Sequence, residues 1–147
     1  MDTFSHETLE PHWVTGFVDG EGSFTYSRSS AQLALYFAIK LTEIERPLLE
    51  AIQDYFGVGK IYSVRASAPK GHGGATKTAA YYRVTHRDHL MRVVEHFDAY
   101  PLRSYKRNVY EVWRLMVLAK QQFRKPDREL MESLAGRITD LSARKQA

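Results

Sequence analysis

Glu21 closes an apolar, helix-patterned run and sits inside a glycine-rich turn, Asp19-Gly-Glu-Gly22. A glycine inside a helix costs about 1 kcal/mol relative to alanine. Gly16 and Gly20 lie four apart and therefore share one helix face, with the small Thr15 on its flank. A helix that carries this cost does so to let another backbone approach closely. The carboxylate at the end of that face then lies at the contact, an arrangement that suits a metal site shared across it. The six histidines, His6, His12, His72, His86, His89 and His96, show no HExxH spacing. His86 and His89, three apart near a helix start, read as surface or capping residues.

Holding that carboxylate requires a helix before it and a strand after it. Residues 7–20 carry the helical pattern, with Pro11 tolerable in the first turn. Residues 23–29 read as a short strand, turned by Ser29-Ser-Ala31. Over 32–42 the alternation is strict: Leu33, Leu35, Phe37, Ile39 and Leu41 against Gln32, Ala34, Tyr36, Ala38 and Lys40. Period two predicts a strand buried on one side only. A helix is expected over 44–56, striped by Leu48, Leu49, Ile52 and Phe56 and stopped at Gly57-Val-Gly59. Strands over 59–67 and 79–85 flank a basic, glycine-rich loop at 68–78. Helices follow over 87–98, 104–121 and 127–143, broken at Tyr100-Pro101 and Lys125-Pro126. The order αββαββα, with helices appended, predicts an α+β fold in which helices back one four-stranded antiparallel sheet.

At 147 residues the chain suits one domain over 1–147, with a core at about 8–121 and a helical extension from about 126. Its 21 basic against 17 acidic residues give a net charge of +4. That excess becomes informative only through where the bases lie. The absence of cysteine excludes a disulfide framework and a thiolate zinc site. No apolar run has the length of a membrane span, and the N-terminus has no signal-peptide pattern. An intracellular setting is expected, either bacterial cytoplasm or an organelle such as a mitochondrion or chloroplast, with no membrane partner.

The run Val14-Thr-Gly-Phe-Val-Asp-Gly-Glu-Gly22 resembles the nine-residue motif that names the LAGLIDADG homing endonucleases. The apolar start, Gly16, the apolar pair, Asp19, Gly20, an acid at 21 and Gly22 match in order, and the aromatic Phe24 also fits. The resemblance implies the homing-endonuclease fold, with its four-stranded sheet forming a saddle on double-stranded DNA. It implies a site-specific, metal-dependent phosphodiester hydrolase that cuts both strands of a long site and promotes mobility of its host intron.

On the same resemblance, Glu21 corresponds to the metal-binding catalytic acid, and the carbonyl of Gly20 joins the coordination. Oxygen ligands without cysteine favour Mg²⁺ or Mn²⁺ over zinc. Asp19 reads as structural, bonding backbone N–H groups. Lys106 ends Pro101-Leu-Arg-Ser-Tyr-Lys106, which matches the family's P-L-x-x-x-K pattern and implies a lysine beside the reactive phosphate. One position departs from the pattern. Leu41 stands where well-known members place a glutamine near the active-site waters, and Lys40 and Thr42 flank it.

No second glycine-acid motif occurs in the chain. Cutting two strands needs two carboxylate sites, and single-motif members of the family pair with themselves. The resemblance therefore implies a homodimer, with Trp13, Thr15, Gly16 and Gly20 at its interface. Twofold symmetry in the protein suits a near-palindromic target.

The outward sheet face supplies the expected DNA contacts. Thr25 and Ser27 come from the first strand, and Gln32, Tyr36 and Lys40 from the second. Lys60, Tyr62, Tyr81 and Arg83 come from the last two, with Arg28 and Arg65 at strand ends. Major-groove base edges accept such side chains. Lys70, His72 and Lys77 in the loop suit phosphates. Two other classes of function stay open on the sequence. One is a non-cleaving binder on the same fold, either an RNA maturase or a DNA-binding regulator. The other is an interaction module that uses the sheet for a protein partner.

Overall fold

The computed structural model describes residues 8–30, 32–65 and 78–146. Helix α1 (Pro11–Glu21) starts at Glu10, whose carboxylate accepts the His12 and Trp13 amides at 3.1 and 3.0 Å. Pro11 occupies the first helical position, where its missing N–H costs nothing. The chain then runs through β1 (Gly22–Ser29), β2 (Gln32–Thr42), a 3₁₀ turn (Glu43–Glu45) and α2 (Arg46–Phe56). Strands β3 (Lys60–Arg65) and β4 (Thr78–Val84) follow, and then α3 (Arg87–Ala99), α4 (Lys106–Gln122) and α5 (Arg128–Gln146).

The four strands form one antiparallel sheet in the order β1-β2-β4-β3. Its inner face is apolar. Phe24 pairs across to Phe37, Phe37 to Val84, and Ile39 to Tyr82. Helices α2, α3 and α4 cover that face with Phe56, Phe97, Tyr110 and Trp113, and the rings of Phe37, Phe97, Tyr110 and Trp113 all lie within 5.3 Å of the Phe24 centroid. Glycine is required at two turn positions. Gly57 caps α2 at φ +72, and Gly59 at φ +95 leaves no room for a Cβ, which would lie 2.6 Å from the Tyr82 ring.

The expected elements are present, with ends shifted by a few residues. Over 43–45 the chain forms the 3₁₀ turn rather than the start of α2. The part played by the C-terminal helix differs from expectation. It is no peripheral extension, because Met131, Leu134, Ala135 and Ile138 are buried in the same core as the sheet. Bonds from Tyr26 to Thr139 (2.9 Å) and from Tyr105 to the Leu141 carbonyl (3.1 Å) tie it down. Among the described residues no helix is long and apolar enough to cross a membrane.

Candidate nucleic-acid and metal site

The motif turn is built by steric need. The Gly22 amide bonds the Val18 carbonyl as the chain leaves α1 for β1. A Cβ on Gly22 would lie 2.6 Å from Val18 Cγ1, so only glycine lets the strand depart this closely. The turn leaves Glu21 and Gly20 exposed on the rim of a cavity of about 520 Å³. Thr25, Lys106 and Ser142 also line that cavity. Glu21, Gly20 and Lys106, separated by some 85 positions in the chain, therefore share one site.

Two side chains hold this geometry. Asp19 reaches the loop before α4, where it accepts the Arg103 and Ser104 amides at 3.0 Å each and the Ser104 hydroxyl at 2.6 Å. Burial works to raise its carboxyl. The Ser104 and Arg103 bonds, with the charge of Lys106, outweigh that and hold it below the ordinary carboxylate range. The structural role expected of Asp19 is present, but the amides it serves belong to the distant loop rather than to its own turn. Lys106 donates from Nζ to the Val18 carbonyl at 2.8 Å, placing an ammonium at the negative end of the helix that ends in Glu21.

Beside the cavity, one face of α1 lies uncovered in the subunit. A Cβ on Gly16 or Gly20 would meet nothing within 4 Å. Trp13 is 44% exposed and stacks on Phe17 at 5.1 Å, in the same stripe as the two glycines. Thr15, expected on this face, is not there. It is 5% exposed and turned into its own subunit, where its hydroxyl donates to the Tyr100 carbonyl at 2.8 Å and pairs with His96 Nε2 at 2.9 Å. Helical position separates them, since residue 15 lies some 100° from 16 around the axis.

The outer sheet face carries Thr25 and Ser27, opposite Tyr36 and Ala34. Lys40 and Tyr62 both pair with Tyr81, and Lys60 pairs with Arg83. The Arg83 guanidinium lies 4.1 Å from the Tyr36 ring centroid and 5.5 Å from that of Tyr81, while Lys40 Nζ lies 5.6 Å from Tyr81. Among the described residues Arg83 Nε is buried without a hydrogen-bond partner, and ring contacts hold the side chain. Gln32 stands exposed at the start of β2. The exposed Val64 shares this face and was missed, because its type signalled core.

Two expected DNA contacts fall elsewhere. Arg28 has the helix-side parity of Phe24 and Tyr26, and Glu132 of α5 binds its guanidinium at 2.7 and 2.9 Å. Arg65 is in register with Thr78, on the parity of Ile61 and Ser63 rather than that of Lys60 and Tyr62. In both cases strand alternation outweighed residue type. Lys70, His72 and Lys77 lie outside the described residues. Leu41 is half-buried against the core and offers no polar atom where a glutamine was looked for.

Glu21 and the Gly20 carbonyl are oxygen donors of the type a hard cation takes. Among the described residues no group of three His, Asp or Glu side chains is placed to hold a metal. Ser142 was also missed, since nothing in the sequence links it to Glu21.

A family model described as LAGLIDADG endonuclease matches residues 14–117. This chain belongs to the LAGLIDADG endonuclease family. It is 36% identical to an uncharacterised 50.9 kDa protein in ND4 intron 1 of Podospora anserina, over 79% of this chain and 26% of that protein. LAGLIDADG meganuclease I-AabMI, solved bound to uncleaved DNA, is 32% identical with a TM-score of 0.70, covering 86% of this chain and 42% of that one. The homing endonuclease I-TnaI is 25% identical with a TM-score of 0.67, covering 92% of this chain and 86% of that one. The chain thus spans about a quarter of the curated relative's length and under half of the I-AabMI chain, yet nearly the whole of I-TnaI. The family match ends before α5.

Proposed function

We propose that the chain is a homodimeric, site-specific DNA endonuclease that hydrolyses both strands of a near-palindromic target and mobilises the intron that encodes it. The observation that carries this reading is the bare glycine face of α1 ending in the exposed carboxylate of Glu21. A second copy packed on Trp13, Phe17, Gly16 and Gly20 would bring two Glu21 side chains together about a twofold axis. The intron origin of the Podospora relative supports the mobile element. The compartment would be the one that holds that intron's DNA.

Hydrolysis of a phosphodiester adds water at phosphorus, breaks one P–O bond and passes a proton to the leaving oxygen. Glu21 and the Gly20 carbonyl would hold Mg²⁺ or Mn²⁺ together with the partner's acid and phosphate oxygens. The bound cation would neutralise phosphoryl charge and acidify a water. Lys106, anchored on Val18, would set a fixed positive charge beside the phosphate. Asp19 holds the loop that aims it. Leu41 supplies no hydrogen bond to the water network, so beside Glu21 the polar lining rests on Ser23, Thr25, Lys106 and Ser142. Across the outer face, Tyr36, Tyr81 and Arg83 would meet base edges, with arginine suited to guanine O6 and N7.

A plasmid library carrying randomised targets, incubated with Mg²⁺ or with EDTA, tests the reading. Linearisation in Mg²⁺ alone, abolished by Glu21→Gln while target binding persists, is the expected result. Tight binding with no scission in Mg²⁺ by the unaltered protein would instead indicate the non-cleaving regulator or maturase.

A further inference from the structure

A second concavity, of about 300 Å³, opens where the start of β2 meets the N-terminus of α3, the end of α4 and the start of α5. Arg87, Lys120, Arg124, Lys125 and Arg128 converge on it. These five bases exceed the net charge of the whole chain, +4. None forms an ion pair with a described residue, and the one carboxylate in the lining, Glu132, is held by Arg28. Two of the cations are fixed by neutral acceptors that leave their charge uncompensated. Lys120 donates to the Leu33 carbonyl, and Arg87 donates to the Gln121 carbonyl at 3.0 Å. Burial, followed by the charge of Arg87, lowers the Lys120 ammonium from its ordinary value, the response of a cation that lacks a counterion.

The place of this cavity in the sheet points to its occupant. Gln32 lines it and is the exposed first residue of β2, opposite Ser29 at the closed end of the β1–β2 ribbon. Gly22 pairs with Ile39 at the other end, seven residues along β2, or about 24 Å of strand at ~3.4 Å per residue. The buried Leu33 and Met131 give the cavity an apolar lining beneath the half-buried Lys120 and four exposed bases. A sugar-phosphate unit presents both an anion and the C–H face of a sugar ring, whereas a free inorganic anion presents no C–H surface.

We propose that this cavity clamps one sugar-phosphate unit of the duplex lying on the sheet, at the end of each half-site farthest from Glu21. The inference rests on the DNA-binding reading above and adds a contact that carries affinity without base information. Arg124 and Lys125 in the α4–α5 connection, with Arg128 at the start of α5, would thereby make the C-terminal helix part of the DNA footprint as well as of the core.

Anisotropy titrations of the full chain in EDTA, against a labelled duplex of random sequence over a range of salt, test the clamp without needing cleavage. Arg124→Gln/Arg128→Gln should lower the slope of log K against log salt by about one to two, roughly one per lost phosphate contact. Arg92→Gln/Arg137→Gln removes the same charge from exposed helix positions away from the cavity and should leave the slope unchanged. Melting curves confirm that both proteins are folded. Equal slopes for the two variants would overturn the clamp, leaving only general charge attraction. Inorganic phosphate that raises the melting temperature of the unaltered protein but not of the cavity variant, with equal duplex slopes, would assign the cavity to a free anion instead. If the unaltered protein shows no salt-dependent duplex binding, the DNA reading itself fails and the clamp falls with it.

Discussion

The three motif glycines serve different physical ends, although they look alike as residues. Gly22 is required inside the subunit, because a methyl group there would press on Val18 Cγ1 and on the Val18 carbonyl. Gly22→Ala should therefore destabilise the subunit by ~1–3 kcal/mol, read as a lowered denaturant midpoint, and should disturb the Glu21 turn. Gly16 and Gly20 face open space among the described residues, none of which requires a glycine there. Asp19 is the second motif residue with a clear internal task, because four hydrogen bonds from residues 103 and 104 end on its side-chain oxygens. Lys106 is held to the same helix end through Val18. The charge of the acid and that of the lysine thus share one small scaffold.

At the scale of elements, a buried polar cluster fixes α1 against α2 and α3. His96 pairs through Nε2 with the Thr15 hydroxyl at 2.9 Å and through Nδ1 with the Tyr55 hydroxyl at 2.8 Å, with its ring packed edge-on against Phe56 and Phe97. Burial, reinforced by the nearby His12, lowers its pKa to about 4. The unfolded value is near 6.5. Between those values the unfolded chain binds the proton and the native fold does not, so stability falls as pH drops from about 6.5 toward 4. The loss should approach ~1.4 kcal/mol per unit across that window. Thermal unfolding followed from pH 7.5 to pH 4.5 should show this slope. His96→Gln, which cannot titrate, should be less stable at neutral pH but flatter across the window. An unchanged slope in the variant would place the titration elsewhere.

For the whole molecule, the bare face of α1 predicts opposite signs for one substitution. Gly16→Ala adds a good helix former where no atom lies within 4 Å, so the isolated subunit should gain up to about 1 kcal/mol of stability. The same methyl group intrudes where two backbones are proposed to meet, so self-association should weaken. Sedimentation at a series of concentrations, paired with denaturant melts, reads both effects. A monomer at every concentration for the unaltered protein, with or without duplex, would remove the twofold arrangement and with it the shared metal site. The sheet's outer face and the cavity at the α4–α5 connection would remain as DNA-binding surfaces to be tested by salt dependence.

Periodicity made the strand and helix order legible, because alternation such as Leu33 to Leu41 is imposed by the sheet's single buried face and survives any detail of packing. The motif at 14–22 was legible because its residues are consecutive, so their types and spacing can be read without knowing what each one meets. Parity within a strand settles where Arg28 and Arg65 point, yet residue type alone favoured the other face, and only a partner such as Glu132 shows which demand prevails. Thr15 turned inward because His96 and the Tyr100 carbonyl, some 80 residues away, are there to satisfy its hydroxyl. Ser142 and the five bases around Leu33 become neighbours only when α5 folds back on α4. Nearest-neighbour chemistry is written along the chain. Which distant side chains share a cavity depends on how helices pack, and the 14–22 motif carries no trace of that.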